Sequence, residues 1–477
     1  MTAKSNLTPQ VFQNAMDTIN QTFTTLENFG HSMSAPSYLI KPKTTEEIYE
    51  AFQLAKKKGL TVTLRGAGRS YNDASLNGGG IVLDLTGMNQ IVDWDAATGV
   101  VRCEAGVTLS QLWQHVLPDG WWPPVVSGTM TTTLGGCLGA NIHGKNNFKM
   151  GTIGEHVSEF TAILPTGAEI TCTPNKNADL FYAMIGGLGM LGIFASITLQ
   201  MKKVHSGLLE VHALPTHTLA EHLQILEDGA PEYDYIVGWL DTIVNPDHGQ
   251  IHAANYLHEG EDPEAEKNIQ LAYQHLPDRL FGVMPKNLLY YFMMPFANNL
   301  GWGAVNVAKY ITSLRRHTFR QSHAAFHFLL DYVPNFELSY GRNGLIQYQS
   351  FLPKETALQV WTEILSRSKK LGLPSYLGVT KRHRPDKFLL THALDGFSLA
   401  LDFKVRRREE MSKMLQEFDQ VVLEAGGRFY FAKNSETTAE TTRTFLGDET
   451  VEKFKKLKKR TDPDGLLESD LYRRIFG

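Results

Sequence analysis

The sequence predicts an α+β protein of two domains, and three observations along its 477 residues support this fold class. Over residues 1–205, short β-branched strands alternate with helices around three glycine-rich loops. From residue 206 glycines become rarer, aromatic residues more frequent, and strand-like runs alternate with helices, which is typical of an antiparallel sheet backed by helices. Residues 425–477 return to strand, loop and helix. We therefore predict one domain at 1–205, completed by 425–477, and a second domain at 206–424.

In the first domain, helix and strand signals follow one another closely. Residues 44–59 open with acidic residues, close with lysines and stop at Gly59, which predicts a helix. The other predicted elements are strands at 60–66 and 81–88, a strand, a turn and an amphipathic helix within 99–120, and a hairpin with a Pro-Thr-Gly turn at 159–173.

The second domain contains one segment without any charge, residues 287–308. It is long enough to cross a bilayer, but Pro295, two asparagines and two glycines interrupt it. We predict a buried or interfacial segment instead. The other predicted elements of this domain are strands at 234–243, 344–352 and 396–405 and a helix at 354–372.

Charge and cysteine content argue against several classes of protein. Lys and Arg number 46 and Asp and Glu 50, so the net charge of −4 lacks the positive surplus of a general nucleic-acid binder. Cys103, Cys137 and Cys172 show no CxxC spacing, so we expect no disulfide scaffold and no metal site, and a reducing compartment fits. The N-terminal stretch lacks the apolar core of a signal peptide. These features together predict a cytoplasmic protein.

The three glycine-rich loops span residues 65–73, 127–143 and 186–192, and are called the first, second and third loop below. Without Cβ atoms, their backbone N–H groups can converge on an anion. Each such charge-assisted hydrogen bond contributes about 1.5–3 kcal/mol. The first loop has neither the Gly-Lys-Ser/Thr ending of a Walker A loop nor a helix directly after it. Two loops of this kind could hold a pyrophosphate without any lysine.

Together and in this order, the loops resemble the PCMH-type FAD-binding domain of the vanillyl-alcohol-oxidase superfamily. The resemblance rests on RGAGRSYNDASLNGGG, SGTMTTTLGGCLGANIHGKN and GGLGMLGI, and on YFAKNSETTAET and DPDGLLESDLYRR near the C-terminus. Within the superfamily, these motifs are similar to those of the oxidases that act on polyprenylphosphoryl-ribose. The resemblance implies the PCMH-type fold and an FAD cofactor.

The resemblance also implies how FAD is held. In many relatives a histidine of the first loop is bonded covalently to the flavin; Arg69 stands at that position here, so we predict non-covalent binding. The implied cofactor-binding residues are Arg65, Gly66, Ala67, Gly68, Arg69, Ser70, Tyr71, Gly128, Thr129, Thr133, Gly135, Gly136, Ala140, Ile142, His143, Gly144, Asn146, Ile193 and Tyr430.

Oxidation of an alcohol by a flavin needs hydride transfer to the flavin N5 and a group that takes or stabilises the hydroxyl proton. A cation near N1 and C2 also stabilises the reduced flavin. By resemblance, Lys433, His143 and Lys381 are the catalytic candidates. Lys433 is a base only if its pKa is strongly lowered, and otherwise acts as an ammonium group. His143 titrates in a useful range.

The implied substrate-binding residues come mainly from the second domain. Two departures from the family's pattern change this pocket: His327 replaces a tyrosine, and Ala400 replaces a cysteine, with Ser398 in place of a neighbouring asparagine. Both put the exact sugar and lipid carrier in doubt, and we expect a pocket without a reactive thiol. The substrate-binding set is Lys145, Trp239, His327, Gln347, Gln349, Lys381 and Ser398.

The leading hypothesis is oxidation of the 2'-hydroxyl of a polyprenylphosphoryl pentofuranose to the keto sugar. A separate short-chain dehydrogenase would then reduce the product, giving net epimerisation. Residues 287–308 could touch the inner face of the cell membrane. The alternatives are a soluble polyol, aldonolactone or 2-hydroxy-acid oxidase, for which Arg382 and Arg384 are the candidate carboxylate ligands, and a non-catalytic flavin-binding protein.

Overall fold

The computed structural model describes residues 21–276, 279–280, 284–315 and 317–477. The secondary structure is 38% helix and 26% strand, and this mixture, with its antiparallel sheets, confirms the predicted α+β fold class. The N-terminal stretch that lacks the apolar core of a signal peptide consists mainly of residues 1–20, which lie outside the described residues.

The residues of the predicted first domain form a four-stranded sheet in the order β1-β2-β4-β3, a five-stranded antiparallel sheet in the order β5-β6-β10-β8-β9, and a short ribbon of β7 and β11. In the first of these, β4 lies parallel to both β2 and β3. The strands are β1 (Gln21–Glu27), β2 (Ser34–Ile40), β3 (Val62–Arg65), β4 (Ile81–Asp84), β5 (Ile91–Asp95), β6 (Val100–Glu104), β7 (Trp121–Trp122), β8 (Val157–Ile163), β9 (Glu169–Cys172), β10 (Ile193–Gln200) and β11 (Lys202–Lys203).

The residues of the predicted second domain form most of an eight-stranded sheet in the order β17-β12-β14-β13-β19-β20-β18-β21, with β15 and β16 as a separate pair. The last strand, β21, comes from the C-terminal stretch that the sequence assigned to the first domain, and it pairs with β18. The strands are β12 (Leu208–Thr216), β13 (Tyr235–Leu240), β14 (Gly249–Tyr256), β15 (Arg279–Leu280), β16 (Met284–Pro285), β17 (His317–Ser322), β18 (Leu345–Pro353), β19 (Leu377–His383), β20 (Gly396–Lys404) and β21 (Arg428–Phe429).

Helices connect and cover these sheets, and short 3-10 turns join several of them. The α-helices of the described residues are α1 (Thr45–Lys58), α2 (Leu109–Val116), α3 (Leu134–Gly139), α4 (Asn147–Met150), α5 (Ala178–Met184), α6 (Leu219–Asp228), α7 (Ala265–Asn268), α8 (Leu289–Met293), α9 (Asn299–Ser313), α10 (His323–His327), α11 (Lys354–Lys370), α12 (Arg408–Glu424), α13 (Ala439–Leu446), α14 (Asp448–Thr461) and α15 (Asp470–Phe476).

Local chemistry explains where the predicted elements begin and end. Helix α1 starts after Thr44, whose hydroxyl accepts from the N–H of Glu47 at 3.3 Å, and ends at Gly59 with a φ of 66°. The strand predicted at 81–88 is shorter than expected. It stops at Asp84, because this carboxylate accepts from the N–H of Thr86 at 3.1 Å and starts a 3-10 turn.

The eight-stranded sheet is two-sided because side chains alternate along each strand. On β20, Phe397 and Leu399 pack with residues of α6, α11 and α12 in a hydrophobic core. Ser398, Ala400 and Asp402 therefore point to the opposite face. The polar face of this sheet lies opposite the glycine-rich loops and forms one wall of the candidate site.

The uncharged segment 287–308 lies on the surface. Its side chains include Tyr291, 56% exposed, Phe296, 58% exposed, and Leu300, 88% exposed, so the buried alternative predicted for this segment is wrong. On the inner side of α9, Trp302 stacks on the Tyr376 ring with ring centres 5.8 Å apart, whereas apolar side chains on its outer side, such as Leu300 and Ile311, are exposed. Within the described ranges, we find no helix both long and apolar enough to cross a membrane.

Candidate active site

A cavity of about 310 Å³ lies between the glycine-rich loops and the polar face of the eight-stranded sheet. This volume falls within the range of roughly 300–1,000 Å³ that is usual for small-molecule sites. The first and second loops line one side, and β13, β18, β19 and β20 line the other. Lys433 and Tyr430, from the segment after β21, also line it. The cavity thus brings together parts of the chain that are far apart in sequence.

The first two loops meet without room for a side chain between them. A Cβ on Gly66 would lie 2.1 Å from the hydroxyl oxygen of Thr133. Thr133 is fixed there because its hydroxyl accepts from the N–H of Gly136 at 3.3 Å and caps α3. The third loop packs below: a Cβ on Gly189, whose φ is 75°, would lie 2.7 Å from Leu64 of β3. Glycines at these points let backbone replace side chains along the cavity wall.

Sixteen of the predicted cofactor-binding residues line the cavity. Gly144 and Asn146 do not: Asn146 is buried and donates to the carbonyl of Pro124 at 2.8 Å. Ile193 is also buried in the core, and its neighbour Phe194 lines the cavity instead. Contacts of all these residues with FAD remain a prediction. Those that line the cavity are Arg65, Gly66, Ala67, Gly68, Arg69, Ser70, Tyr71, Gly128, Thr129, Thr133, Gly135, Gly136, Ala140, Ile142, His143 and Tyr430.

Three cavity-lining residues have a buried nitrogen atom with no hydrogen-bond partner among the described residues. One is Nε2 of His327, and the other two belong to residues of the first and second loops. These two are Nε of Arg69 and Nδ1 of His143. Because Nε2 of His143 lies 3.2 Å from the amide nitrogen of Gln349, the amide donates to Nε2 and the ring proton sits on Nδ1. Both unpaired atoms of the loops are therefore donors, whereas phosphates and flavin carbonyls are acceptors. The residues of the cavity fit FAD.

The sheet side of the cavity is a polar platform. Gln347 and Gln349 of β18 pair in register with Asp402 and Ala400 of β20. Lys381 of β19 lies on the same face. Because strands alternate their side chains, these residues share one face and line the cavity together. The platform thus offers amides, one ammonium group and one carboxylate to a bound molecule.

Ser398 lies beside the platform and does not line the cavity. Its hydroxyl accepts from the amide of Gln349 at 3.3 Å and lies 2.7 Å from Nε2 of His383. Gln349 in turn contacts His143. Ser398 therefore positions Gln349, and its contact with substrate remains a prediction.

Lys433, the first catalytic candidate, is enclosed in the cavity wall. Its ammonium nitrogen lies 3.8 Å from the centre of the Tyr71 ring. Burial lowers the pKa of Lys433 to about 7, the carboxylate of Asp402 opposes this shift, and the nearby Lys381 adds to it. The lowered pKa that a basic role requires is therefore present. The Tyr71 ring, like Asp402, favours the cationic form.

The other predicted polar groups of the cavity are also buried. Burial lowers the pKa of Lys381 to about 8. Burial, followed by the charge of Lys381, holds the pKa of His143 well below its usual value, so its imidazole is neutral. Burial also lowers the pKa of Lys145, which lines the cavity and donates to the carbonyl of Phe326. Burial therefore favours the neutral form of each of these three groups.

Two predicted substrate-binding residues lie at different depths. His327 lines the cavity and stacks on Trp122 with ring centres 5.5 Å apart; burial holds its pKa well below the usual value. Trp239 does not line the cavity: it is buried beneath Lys309, whose nitrogen lies 4.2 Å from the ring centre. A direct contact of Trp239 with substrate thus has no support in this arrangement.

The sequence analysis missed Asp402, the one carboxylate among the described residues that line the cavity. The signal was present: Ser398, Ala400 and Asp402 alternate along one strand, so noting the first two implied the third. Cys137, which the sequence did not place in the site, also lines the cavity from the loop side. Cys137 is buried, and burial raises its pKa to about 12, so its thiol is unreactive.

The two arginines that were candidate ligands for the carboxylate of a 2-hydroxy acid form ion pairs within the protein. Arg382 forms ion pairs of 2.6 Å with Glu227 and Asp395. Arg384 forms one of 2.9 Å with Glu155. Neither arginine lines the cavity.

Comparison with known proteins agrees with this site. Residues 36–173 match the family described as FAD binding domain, and 357–475 match D-arabinono-1,4-lactone oxidase. Decaprenylphosphoryl-β-D-ribose oxidase of Mycolicibacterium smegmatis is 30% identical over 474 residues, 96% of this chain and 99% of that protein. L-gulonolactone oxidase of Bos taurus is 27% identical over 42% of this chain and 44% of its own. D-lactate dehydrogenase of Anaerostipes hadrus is 31% identical over 39% of this chain and 40% of its own.

The fold, the FAD-binding match and the fit of the cavity define an FAD-dependent oxidoreductase. The chain belongs to the PCMH, or vanillyl-alcohol-oxidase, family of FAD-linked oxidoreductases, in which the mycobacterial decaprenylphosphoryl-ribose oxidase is a full-length relative. The named oxidases among its relatives argue against a non-catalytic flavin-binding protein. Non-covalent attachment stays a prediction, with Arg69 in place of the bonded histidine.

Proposed function

We propose that this enzyme oxidises the 2'-hydroxyl of a polyprenylphosphoryl pentofuranose to the corresponding keto sugar. The observation that carries the proposal is the polar platform of Gln347, Gln349 and Lys381 facing the FAD-binding loops. Amide groups both donate and accept hydrogen bonds, as sugar hydroxyls require, and an ammonium group pairs with a phosphate. The full-length similarity to an enzyme named for a decaprenylphosphoryl-ribose substrate supports the same reading.

When bound, FAD supplies the acceptor for the hydride of the carbinol carbon. The residues of this chain orient the sugar and provide charge. Gln347 and Gln349 hold the furanose hydroxyls against the platform, and Lys381 and Lys145 pair with the phosphate. Lys433 supplies the cation that stabilises negative charge as the flavin is reduced. The buried cavity excludes water and strengthens each of these interactions.

Anaerobic reduction of the protein-bound flavin by candidate donors tests the proposal. The panel consists of polyprenylphosphoryl pentofuranoses, free polyols, aldonolactones and 2-hydroxy acids. We expect rapid bleaching of the flavin absorbance with the lipid-linked furanose alone. Bleaching by a free polyol, lactone or acid, with none by the lipid-linked sugar, would contradict the proposal.

The second candidate is an aldonolactone oxidase. Residues 357–475 match the D-arabinono-1,4-lactone oxidase family, and a gulonolactone oxidase is among the relatives. A 2-hydroxy-acid oxidase is less well supported, because Arg382 and Arg384 are engaged in ion pairs outside the cavity. The lactone arm of the donor panel separates the first two candidates.

A lipid-linked substrate requires contact with a membrane surface, and we assign this contact to an apolar strip formed by exposed residues of 288–314. Replacing Phe292, Phe296 and Leu300 together by serine should weaken binding to vesicles of phosphatidylglycerol and phosphatidylcholine by at least about tenfold. Each buried side chain of this kind contributes about 1.5–3 kcal/mol. The three side chains are 56%, 58% and 88% exposed, so the protein should still fold. Vesicle flotation measures the binding.

The control for this experiment is a matched triple variant, Val92→Ser, Leu358→Ser and Leu371→Ser. These side chains are also exposed but lie outside the strip. Equal loss of vesicle binding in both variants, or no loss in either, would remove the strip from the proposal. The keto product also implies a partner reductase of the short-chain dehydrogenase class, which completes an epimerisation.

A further inference from the structure

Asp402 stands apart from the other polar groups of the cavity by its charge. It is 1% exposed and lies on β20, paired in register with Gln347 of β18 and Leu377 of β19. Both of these neighbours line the cavity, as does Asp402. Lys381, the other ionisable group of the platform, is basic. The carboxylate is thus placed where a bound alcohol would lie, opposite the FAD-binding loops.

Only one of the two carboxylate oxygens of Asp402 accepts a hydrogen bond from the described residues. Its Oδ1 accepts from the amide of Gln347 at 2.5 Å. Its Oδ2 is buried and has no hydrogen-bond partner in the part of the chain that the structure describes. An ionised carboxylate accepts about four hydrogen bonds, and buried polar atoms are nearly always paired. Oδ2 therefore retains acceptor capacity that a substrate hydroxyl can fill.

Burial lowers the pKa of Lys433 to about 7, and two contacts of its nitrogen oppose this shift. Its nitrogen lies over the electron-rich face of Tyr71, which favours the ammonium form. The negative charge of Asp402 favours the same form. An ammonium group has three donors and no acceptor. Lys433 and Asp402 thus supply a donor and an acceptor to the same cavity.

We infer that Asp402 accepts the hydroxyl proton of the alcohol, while Lys433 remains the cation near the reducible cofactor. This inference rests on the proposed function. The carbinol C–H bond breaks and its hydrogen leaves with the electron pair as hydride, for which bound FAD would be the two-electron acceptor. The O–H bond breaks, and its proton goes to Oδ2 of Asp402. The remaining electrons form the C=O bond, so the alcohol is oxidised to a ketone.

The inference fixes the pH dependence of flavin reduction. Asp402 must be ionised to accept a proton, so the rate should fall as the pH drops through its pKa, which burial raises. Asp402 interacts electrostatically with three titratable groups, which are Lys433, Tyr71 and Tyr340. Burial raises the pKa of both tyrosines far above neutrality, so they stay neutral. Loss of the Lys433 ammonium gives the alkaline limb of the profile.

The test compares Asp402→Asn with a matched control, Asp419→Asn, in stopped-flow anaerobic flavin reduction over a range of pH. Asp419 is another buried carboxylate whose pKa burial raises, to about 7, but it lies on α12 and does not line the cavity. Asp402→Asn should slow flavin reduction about 10²- to 10⁴-fold. It should also abolish the acid limb of the pH profile, which is the fall in rate at low pH. Its apparent Kd for the donor should change little. Asp419→Asn should keep the wild-type rate and profile.

A second readout does not depend on turnover. Removing the negative charge of Asp402 should shift the flavin midpoint potential to a more positive value, because the reduced flavin is then less destabilised. Asp402→Glu, which keeps a carboxylate, should retain the acid limb at a reduced rate. This second variant also serves if the asparagine variant fails to fold or to retain FAD.

Wild-type rate and an unchanged acid limb in Asp402→Asn would overturn the inference, and so would a profile without the acid limb in Asp402→Glu. The donor in every arm is the alcohol that reduces the wild-type protein fastest in the donor panel. Failure of the lipid-linked furanose as donor therefore refutes the proposed function while leaving the test of Asp402 intact. If no alcohol reduces the wild-type flavin, both are overturned.

Discussion

Lys433→Met should slow anaerobic flavin reduction by about 10²- to 10³-fold while the protein keeps its FAD. Methionine resembles lysine in length but carries no charge, so the variant removes the ammonium group that lies against Tyr71. The expected role of the Lys433 ammonium group is to stabilise negative charge that develops during flavin reduction, so its loss should affect the rate more than substrate binding. Stopped-flow absorbance with the best donor measures the rate, and the flavin spectrum measures cofactor content.

The midpoint potential distinguishes this charge effect from a loss of packing. Without Lys433 the reduced flavin loses a stabilising cation, so the potential should become more negative, opposite to the shift expected for Asp402→Asn. Lys149→Met is the control, because Lys149 forms a surface ion pair of 2.6 Å with Asp234 outside the cavity. If Lys433→Met reduced its flavin at the wild-type rate, Lys433 would have no catalytic role.

Gly66→Ala should lower the affinity for FAD by about 10²-fold or more and yield protein that is largely colourless. The new Cβ would lie 2.1 Å from the hydroxyl oxygen of Thr133, so the first and second loops must separate. Loss of two charge-assisted hydrogen bonds from displaced backbone groups would account for this drop, at about 1.5–3 kcal/mol each. Fluorescence titration of the apoprotein with FAD measures the affinity.

A double variant tests whether this contact is the cause. Thr133→Ala removes the hydroxyl that Gly66→Ala would meet, leaving the Thr133 Cβ at 3.2 Å as the next atom. Thr133→Ala alone should cost about 1 kcal/mol of stability, because Thr133 caps α3. The double variant should bind FAD more tightly than Gly66→Ala. Additive losses in the double variant would show that the contact between the loops does not determine FAD affinity.

The sequence predicted the cofactor side of the site more completely than the substrate side. Glycine-rich loops have a local cause, since close backbone approach requires absent side chains, and the motifs are continuous in sequence. Gly66 and Thr133 could therefore be named in advance, although their contact with one another could not. Gly144, Asn146 and Ile193 were named with them but lie beside the cavity, because neighbours in a loop or strand point in different directions.

The surface segment shows a different limit of sequence reasoning. Absence of charge over 287–308 predicted burial or an interface, and composition alone could not separate the two. The structure leaves Leu300 88% exposed, because α9 faces the aromatic residues Tyr340 and Tyr376 with its Trp302 side only. Which side of an apolar helix is covered depends on what packs against it.

By itself, the sequence determined the α+β class and the order of the FAD-binding loops, and it named Lys433, Lys381 and His143 as catalytic candidates. Each of these rests on local patterns or on motifs shared with a family. Only the tertiary structure decided which of the polar residues meet. Asp402 and Lys433 share one cavity, while Arg382 is paired outside it. Strand register and the pairing of distant strands set these positions, and neither is encoded in any single stretch of the chain.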